Sequence, residues 1–292
     1  MSVELRAATV ADAPAMTALL QQHSIATVGE SGVGESEVKY WLTIPTLSFQ
    51  LAERDGRLVG YLDLFTADDE HFVADVRTLE REPADALIGA AEAQAAHGRI
   101  HCVVHGDDEL LRSVYEDGGY RLVRHSFEMR IEFDGDVPEP QWPRGFVVRN
   151  VRPGDEKRVH AAQQDAFGDH WDFHPESFEQ WRAFTIDRHD FDPALWWLVE
   201  EGDELVAVAL NWWHASGDPG FGWVQTFGVR PSWRRRGLAT ALLRQSFRTF
   251  RERGATRVGL TVDAENTTGA VGLYERAGMR PVRRNDIYEK RL

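Results

Sequence analysis

The 292-residue chain is 42 % hydrophobic and 27 % charged with a formal net charge of −14, the composition of globular material long enough for two domains. That acidity argues against nucleic acid as a partner, since phosphate binding needs concentrated positive charge. There is no run of about 18 apolar residues to span a membrane, and the opening Met-Ser-Val-Glu-Leu-Arg lacks the basic-then-apolar order of a secretion signal. A single cysteine, Cys102, excludes an internal disulfide and fits a reducing compartment. A cytoplasmic protein with no membrane partner, monomeric or homodimeric, is expected.

In chain order, Leu5-Arg6 with Asp12 opens a strand that leads into an apolar-periodic helix. Residues 51–61 are two short apolar runs about a charged, glycine-containing turn, a β-hairpin signal. Residues 74–83 carry Asp75, Glu80 and Glu82 and no glycine, and the alanine-rich stretch 84–96 then predicts a helix. The apolar run 100–104 reads as a buried strand with Cys102 as core. Residues 134–145 hold three prolines and two glycines, which break both periodicities and mark a linker.

Beyond the linker the same order recurs. Val148-Arg149 with Asp155 matches Leu5-Arg6 with Asp12, residues 198–208 repeat the hairpin of 51–61, and Leu273-Tyr274-Glu-Arg-Ala-Gly278-Met279 matches Val114-Tyr115-Glu-Asp-Gly-Gly-Tyr120. Two divergent copies of one module are expected, over 1–133 and 146–292 with 134–145 between them. The copies differ in charge. Residues 1–141 carry 11 Lys and Arg against 26 Asp and Glu, whereas residues 142–292 carry 22 against 21. From Arg230 to Arg251 there are seven arginines and no acid.

That basic window contains 224–243, a strand that turns through Arg234-Arg235-Arg236-Gly237 into an apolar helix. Unpaired amides and the helix dipole at such a junction favour an anion. Arg234-x-x-Gly237-x-Ala239, with Asn266, Ala270, Leu273, Tyr274 and Gly278 downstream, resembles the two signatures of the GCN5-related N-acetyltransferases. The resemblance covers about 145–292 and, more weakly, 3–133. It implies an α/β (α+β) fold of two tandem domains, each a mixed, mostly antiparallel sheet flanked by helices. The second copy is implied to bind acetyl-coenzyme A, while the first, with acids in place of the glycine loop, reads as a degenerate domain without cofactor.

On the same resemblance Phe227, Gly228 and Val229 present backbone to the acetyl and pantetheine arm, and Gly228 suits a β-bulge. Arg234 grips the pyrophosphate; Arg235, Arg236, Gly237, Leu238, Ala239 and Thr240 supply its amide donors. Asn266 holds the pantetheine, and Tyr274 donates to the leaving thiolate. No general base stands out: the strand glutamate of many relatives falls at or beside Trp223, and Gln225 cannot take a proton. Asp165, Asp169, His170, Asp172, His174 and Glu176 cluster with Phe167, Trp171 and Phe173 in the loop where such enzymes cover their acceptor. Asp169, Trp171 and Gln225 are the candidates for holding a small-molecule amine, by charge pairing and cation–π contact. No metal is expected, because nothing fixes His170, Asp172 and His174 as ligands. The tandem layout is similar to mycothiol synthase. A mycothiol synthase-like transferase and a non-catalytic acyl-coenzyme A sensor are the alternatives to a general small-amine N-acetyltransferase.

Overall fold

In the computed structural model, which describes residues 2–68, 70–213 and 217–292, the local signals of each half become strands and helices in one repeated order. The first half runs β1 (Glu4–Ala7), α1 (Ala13–Val28), α2 (Glu35–Trp41), β2 (Leu47–Arg54), β3 (Arg57–Asp68), β4 (His71–Arg77), α3 (Arg81–Ala95), β5 (Arg99–His105), α4 (Glu109–Asp117) and β6 (Arg121–Glu132). The second runs β7 (Val147–Asn150), α5 (Glu156–Phe167), α6 (Phe178–Phe184), β8 (Trp197–Glu201), β9 (Glu204–Trp212), β10 (Phe221–Val229), α7 (Leu238–Glu252), β11 (Arg257–Asp263), α8 (Ala270–Arg276) and β12 (Arg280–Arg291). No described helix is long and apolar enough to cross a membrane.

The repeat extends to individual hydrogen bonds. Arg6 donates to Asp12 at 2.9 and 2.7 Å and to Glu53 at 3.0 and 2.7 Å. Arg149 donates to Asp155 at 2.6 and 2.9 Å and to Glu200 at 2.9 and 2.7 Å. Each guanidinium thus ties its module's first strand to the following helix start and to the hairpin, through bidentate charge-assisted bonds. The first hairpin turns at Asp55 and Gly56, with φ of 53° and 73°, the left-handed pair that a two-residue turn between twisted strands requires. After α4 and α8, Tyr120 N–H donates to Tyr115 O and Met279 N–H to Tyr274 O, at 2.9 and 3.0 Å, about Gly119 and Gly278 at φ 81° and 95°.

The chain divides into two compact units, Met1–Ser126 with Arg283–Leu292, and Phe127–Val282. These bounds differ from 1–133 and 146–292 at both ends. The end of β12 folds with the first unit because its backbone completes β5 there, antiparallel from Asn285↔His105 to Arg291↔Arg99. The last part of β6 belongs to the second unit, where Phe133 N–H donates to Thr256 O at 2.8 Å.

Within the first unit, β1–β4 are antiparallel neighbours and β4 runs parallel to β5 over His71–Ala74 and Arg99–Cys102. Strand alternation sends successive side chains to opposite faces. Leu62, Leu64, Ala74 and Val76 meet Ala84, Leu87, Ile88 and Ala91 of α3, whereas Leu51 and Tyr61 meet Met16 and Leu20 of α1 and Val38 of α2. Cys102 is buried in the first of these layers, and burial pushes its thiol up to about 12, so it is inert core.

Beyond Ala74 and Cys102 the β4–β5 ladder ends, and charged groups occupy the divergence. Arg77 donates to both oxygens of Asp75 at 2.7 Å, and His105 Nε2 lies 3.8 Å from Asp75. Asp63, opposite Asp75 in the register, accepts from Tyr61 Oη at 2.7 Å. Burial, and then the facing Asp75 carboxylate, push Asp63 up to about 7. The unfolded chain releases this proton near pH 4 while the folded chain holds it, so this group's contribution to stability falls as pH rises from about 4 to 7. Asp63→Asn should remove that decline. Its melting temperature, measured against the parent from pH 4.5 to 7.5, should gain on the parent toward the alkaline end; a pH-independent difference would contradict the assignment.

Candidate active site

The second unit repeats the antiparallel run β7–β8–β9–β10, with β10 parallel to β11. The β10–β11 ladder covers only Phe221–Trp223 against Arg257–Gly259. From Val224 onward β10 keeps β9 on one edge and leaves the other to a cleft of about 530 Å³. The register slips between Val224 and Thr226, so Gln225 is the bulged residue, not Gly228. A bulge bends its strand and ends regular pairing, which opens this edge. Gly228 is small for a different reason: a Cβ there would lie 2.9 Å from Ala166 Cβ and 3.1 Å from the Phe167 ring of α5.

The floor of the cleft is the basic loop. Arg235 and Gly237 have φ of 63° and 82°, and Gly237 caps α7 in the left-handed region. The first intrahelical bond closes from Ala241 N–H to Gly237 O at 3.2 Å, so the amides of the preceding turn point out of the helix. Alternating backbone hands followed by a helix start make an anion-binding concavity. Arg234, Arg235, Gly237, Leu238, Ala239 and Thr240 line it.

The arginine side chains are differently employed. Arg234 donates to Val229 O at 3.1 Å, to Ala166 O at 2.9 Å and to both Asp169 oxygens, which braces the end of β10 on the end of α5. Arg236 turns to Glu201 at 3.2 Å and is absent from the cleft lining. Phe227, Gly228, Val229 and Asn266 do line it. The Asn266 carboxamide oxygen accepts from Thr268 N–H at 2.9 Å and Ala270 N–H at 3.4 Å, so it caps the start of α8. Tyr274 is 6 % exposed, its ring 6.1 Å from that of Phe227, and burial holds its phenol above the ordinary tyrosine range.

The acidic loop is largely spent on internal pairs. Asp165 accepts from Arg230 at 2.6 Å, Asp169 from Arg234, Asp172 from His174 at 3.3 Å, and Glu176 faces Gln163 and Gln164 at 3.4 Å. Asp169 and Gln225 line the cleft; Trp171, 39 % exposed, does not. Gln225 accepts from Trp223 Nε1 at 3.0 Å. Two further lining residues carry chemistry: His170, which the sequence offers only as one member of the acidic loop, and Asp263, which it does not single out. The place of Asp263 at the end of a strand facing the glycine loop was the only available signal for it.

Residues 157–279 match the acetyltransferase (GNAT) family. Mycothiol acetyltransferase of Streptomyces avermitilis is 32 % identical over 231 residues, 76 % of this chain and 72 % of that protein. A GCN5-related N-acetyltransferase from Sphaerobacter thermophilus superposes with a TM-score of 0.81 at 30 % identity, over 99 % of this chain and 95 % of that one. A tandem GNAT protein from the clavulanic acid biosynthesis pathway shares the fold, with a TM-score of 0.77 at 15 % identity over 99 % and 98 % of the two chains.

Proposed function

We propose, from the premise that this chain belongs to the acetyltransferase (GNAT) family and is an N-acetyltransferase, that its second unit transfers acetyl from acetyl-coenzyme A to a primary amine of a small molecule. The amine attacks directly, in a ternary complex. The observation that carries this reading is the cleft of the second unit, where an amide-rich helix start, an unpaired strand edge and Tyr274 converge. The loop 235–240 receives the pyrophosphate on its amides, with Arg235 adding charge. The open edge of β10 pairs with the amide-bearing pantetheine arm as a neighbouring strand would. Asn266 meets that arm, and Tyr274, kept protonated by burial, donates to the sulfur as it leaves.

The first unit serves as a scaffold without coenzyme. Its slot holds Asp75, Arg77 and His105. Its α3 begins with Glu80 and Glu82 paired to Arg54, where a pyrophosphate would be repelled. Tyr115, the counterpart of Tyr274, is fully buried between Tyr120 and Tyr288.

A narrower reading, that the acceptor is the one mycothiol acetyltransferases use, is favoured by the likeness to those enzymes and opposed by the glutamate that the resemblance implies on the strand before the loop, whose place falls at or beside Trp223. One assay tests both readings: thiol release from acetyl-coenzyme A with a panel of primary amines that includes the mycothiol precursor, alongside calorimetric titration. Amine-dependent thiol release and one equivalent of coenzyme per chain are expected. Binding without release for every amine would make the protein a sensor, and two equivalents would restore the first unit as a binding domain.

A further inference from the structure

The reaction leaves one proton unassigned. As the amine nitrogen bonds to the acetyl carbon and the C–S bond breaks, the thiolate takes a proton from Tyr274 and the nitrogen must lose one. Among the cleft-lining side chains, Gln225 and Asn266 cannot accept it, and both Asp169 oxygens are held by Arg234. Asp263 Oδ1 already accepts from the Glu265 N–H at 2.9 Å. His170 also lines the cleft, half-buried, and no described group is hydrogen-bonded to its ring nitrogens.

The position of His170 is set from the sequence upward. It follows the end of α5, where its N–H donates to Phe167 O at 2.9 Å and its ring packs 4.5 Å from the Phe167 ring. Phe167 in turn abuts Gly228, whose missing Cβ lets α5 approach β10. Gly228 and Phe227 are consecutive on β10, so they face opposite sides of the sheet, and Phe227 is the residue against Tyr274. His170, by way of Phe167 and Gly228, and Tyr274, by way of Phe227, thus meet in the same cleft at the end of β10.

We propose that His170 is the general base that removes the proton from the attacking amine. The N–H proton passes to an imidazole nitrogen, the thiolate takes the Tyr274 proton, and solvent carries the proton from the imidazolium back to the phenolate. Three charged groups face His170. Burial lowers its affinity for a proton first; Asp169 and Asp263 raise it and Arg234 lowers it, with a net shift downward. The resting imidazole is thus neutral at pH 7, and the two carboxylates favour the imidazolium that forms.

This inference rests on the acetyl-coenzyme A reading of the cleft. His170→Ala and His170→Gln should lower kcat by about 100-fold, leave acetyl-coenzyme A affinity within about twofold, and abolish the acid limb of the kcat/KM–pH profile, which in the parent has its midpoint below the ordinary imidazole value of about 6.5. Free imidazole should restore part of the His170→Ala rate. Variants that bind coenzyme and turn over at the parent rate, or that keep the acid limb, overturn the assignment to His170. A parent protein that fails to bind acetyl-coenzyme A overturns the cleft reading instead.

Discussion

Replacing Gly237 with glutamate should lower acetyl-coenzyme A affinity by at least about 100-fold without unfolding the protein. Gly237 sits at φ 82° as the cap of α7, and a Cβ there would meet only Pro143 Cγ at 3.9 Å, so added bulk has room. The left-handed conformation costs a non-glycine residue about 1–2 kcal/mol. A carboxylate at a helix start returns about 0.3–1 kcal/mol through the dipole, so the fold should survive. The same carboxylate would stand where the pyrophosphate is proposed to lie. Gly237→Ala separates the causes: it carries the backbone strain without the charge and should bind within about tenfold of the parent, a change of about 1.4 kcal/mol. Equal losses in both variants would assign the effect to loop geometry, and unchanged affinity in Gly237→Glu by calorimetry would remove the cofactor site from this loop.

The second large effect is expected at Tyr274. Phenylalanine keeps the ring packed beside Phe227 and removes only the hydroxyl, so Tyr274→Phe should lower kcat by about 100-fold with acetyl-coenzyme A affinity nearly unchanged. A group that acts only as the thiolate departs contributes to the transition state and not to the ground state, hence the split between kcat and binding. Because burial raises the phenol above its ordinary range, the parent should show no alkaline loss of rate from this group below about pH 10. Full turnover by Tyr274→Phe would leave Tyr274 a packing residue.

Much of this was legible without coordinates, and for a common reason. The repeat, the hairpins at 51–61 and 198–208, the Arg6–Asp12 and Arg149–Asp155 pairs, and the loop at Gly237 all depend on residues close together in the chain. Glycine at a left-handed turn, a charged two-residue reversal and an apolar period are local physics. The likeness of the second half to the acetyltransferases rested on the same kind of short, ordered motif, and the family follows from it.

The tertiary structure decided what depends on partners distant in sequence. Gly228 looked suited to a bulge, but the slip falls at Gln225, because pairing with β9 sets the register while α5 demands the missing Cβ at 228. Arg234 and Asp169 were assigned to two different ligands; the end of α5 brings them together as one brace. Composition marks 134–145 as a linker, yet the compact units part between Ser126 and Phe127 and Arg283–Leu292 completes the first, since an unpaired β5 edge takes whichever strand reaches it. His170 was one of six titratable residues in a loop until folding set it beside the open strand. Local sequence determined which elements this protein makes and which chemistry they carry; packing across distance decided which charges cancel each other and which remain to meet a substrate, because electrostatic pairing depends on separation in space, not along the chain.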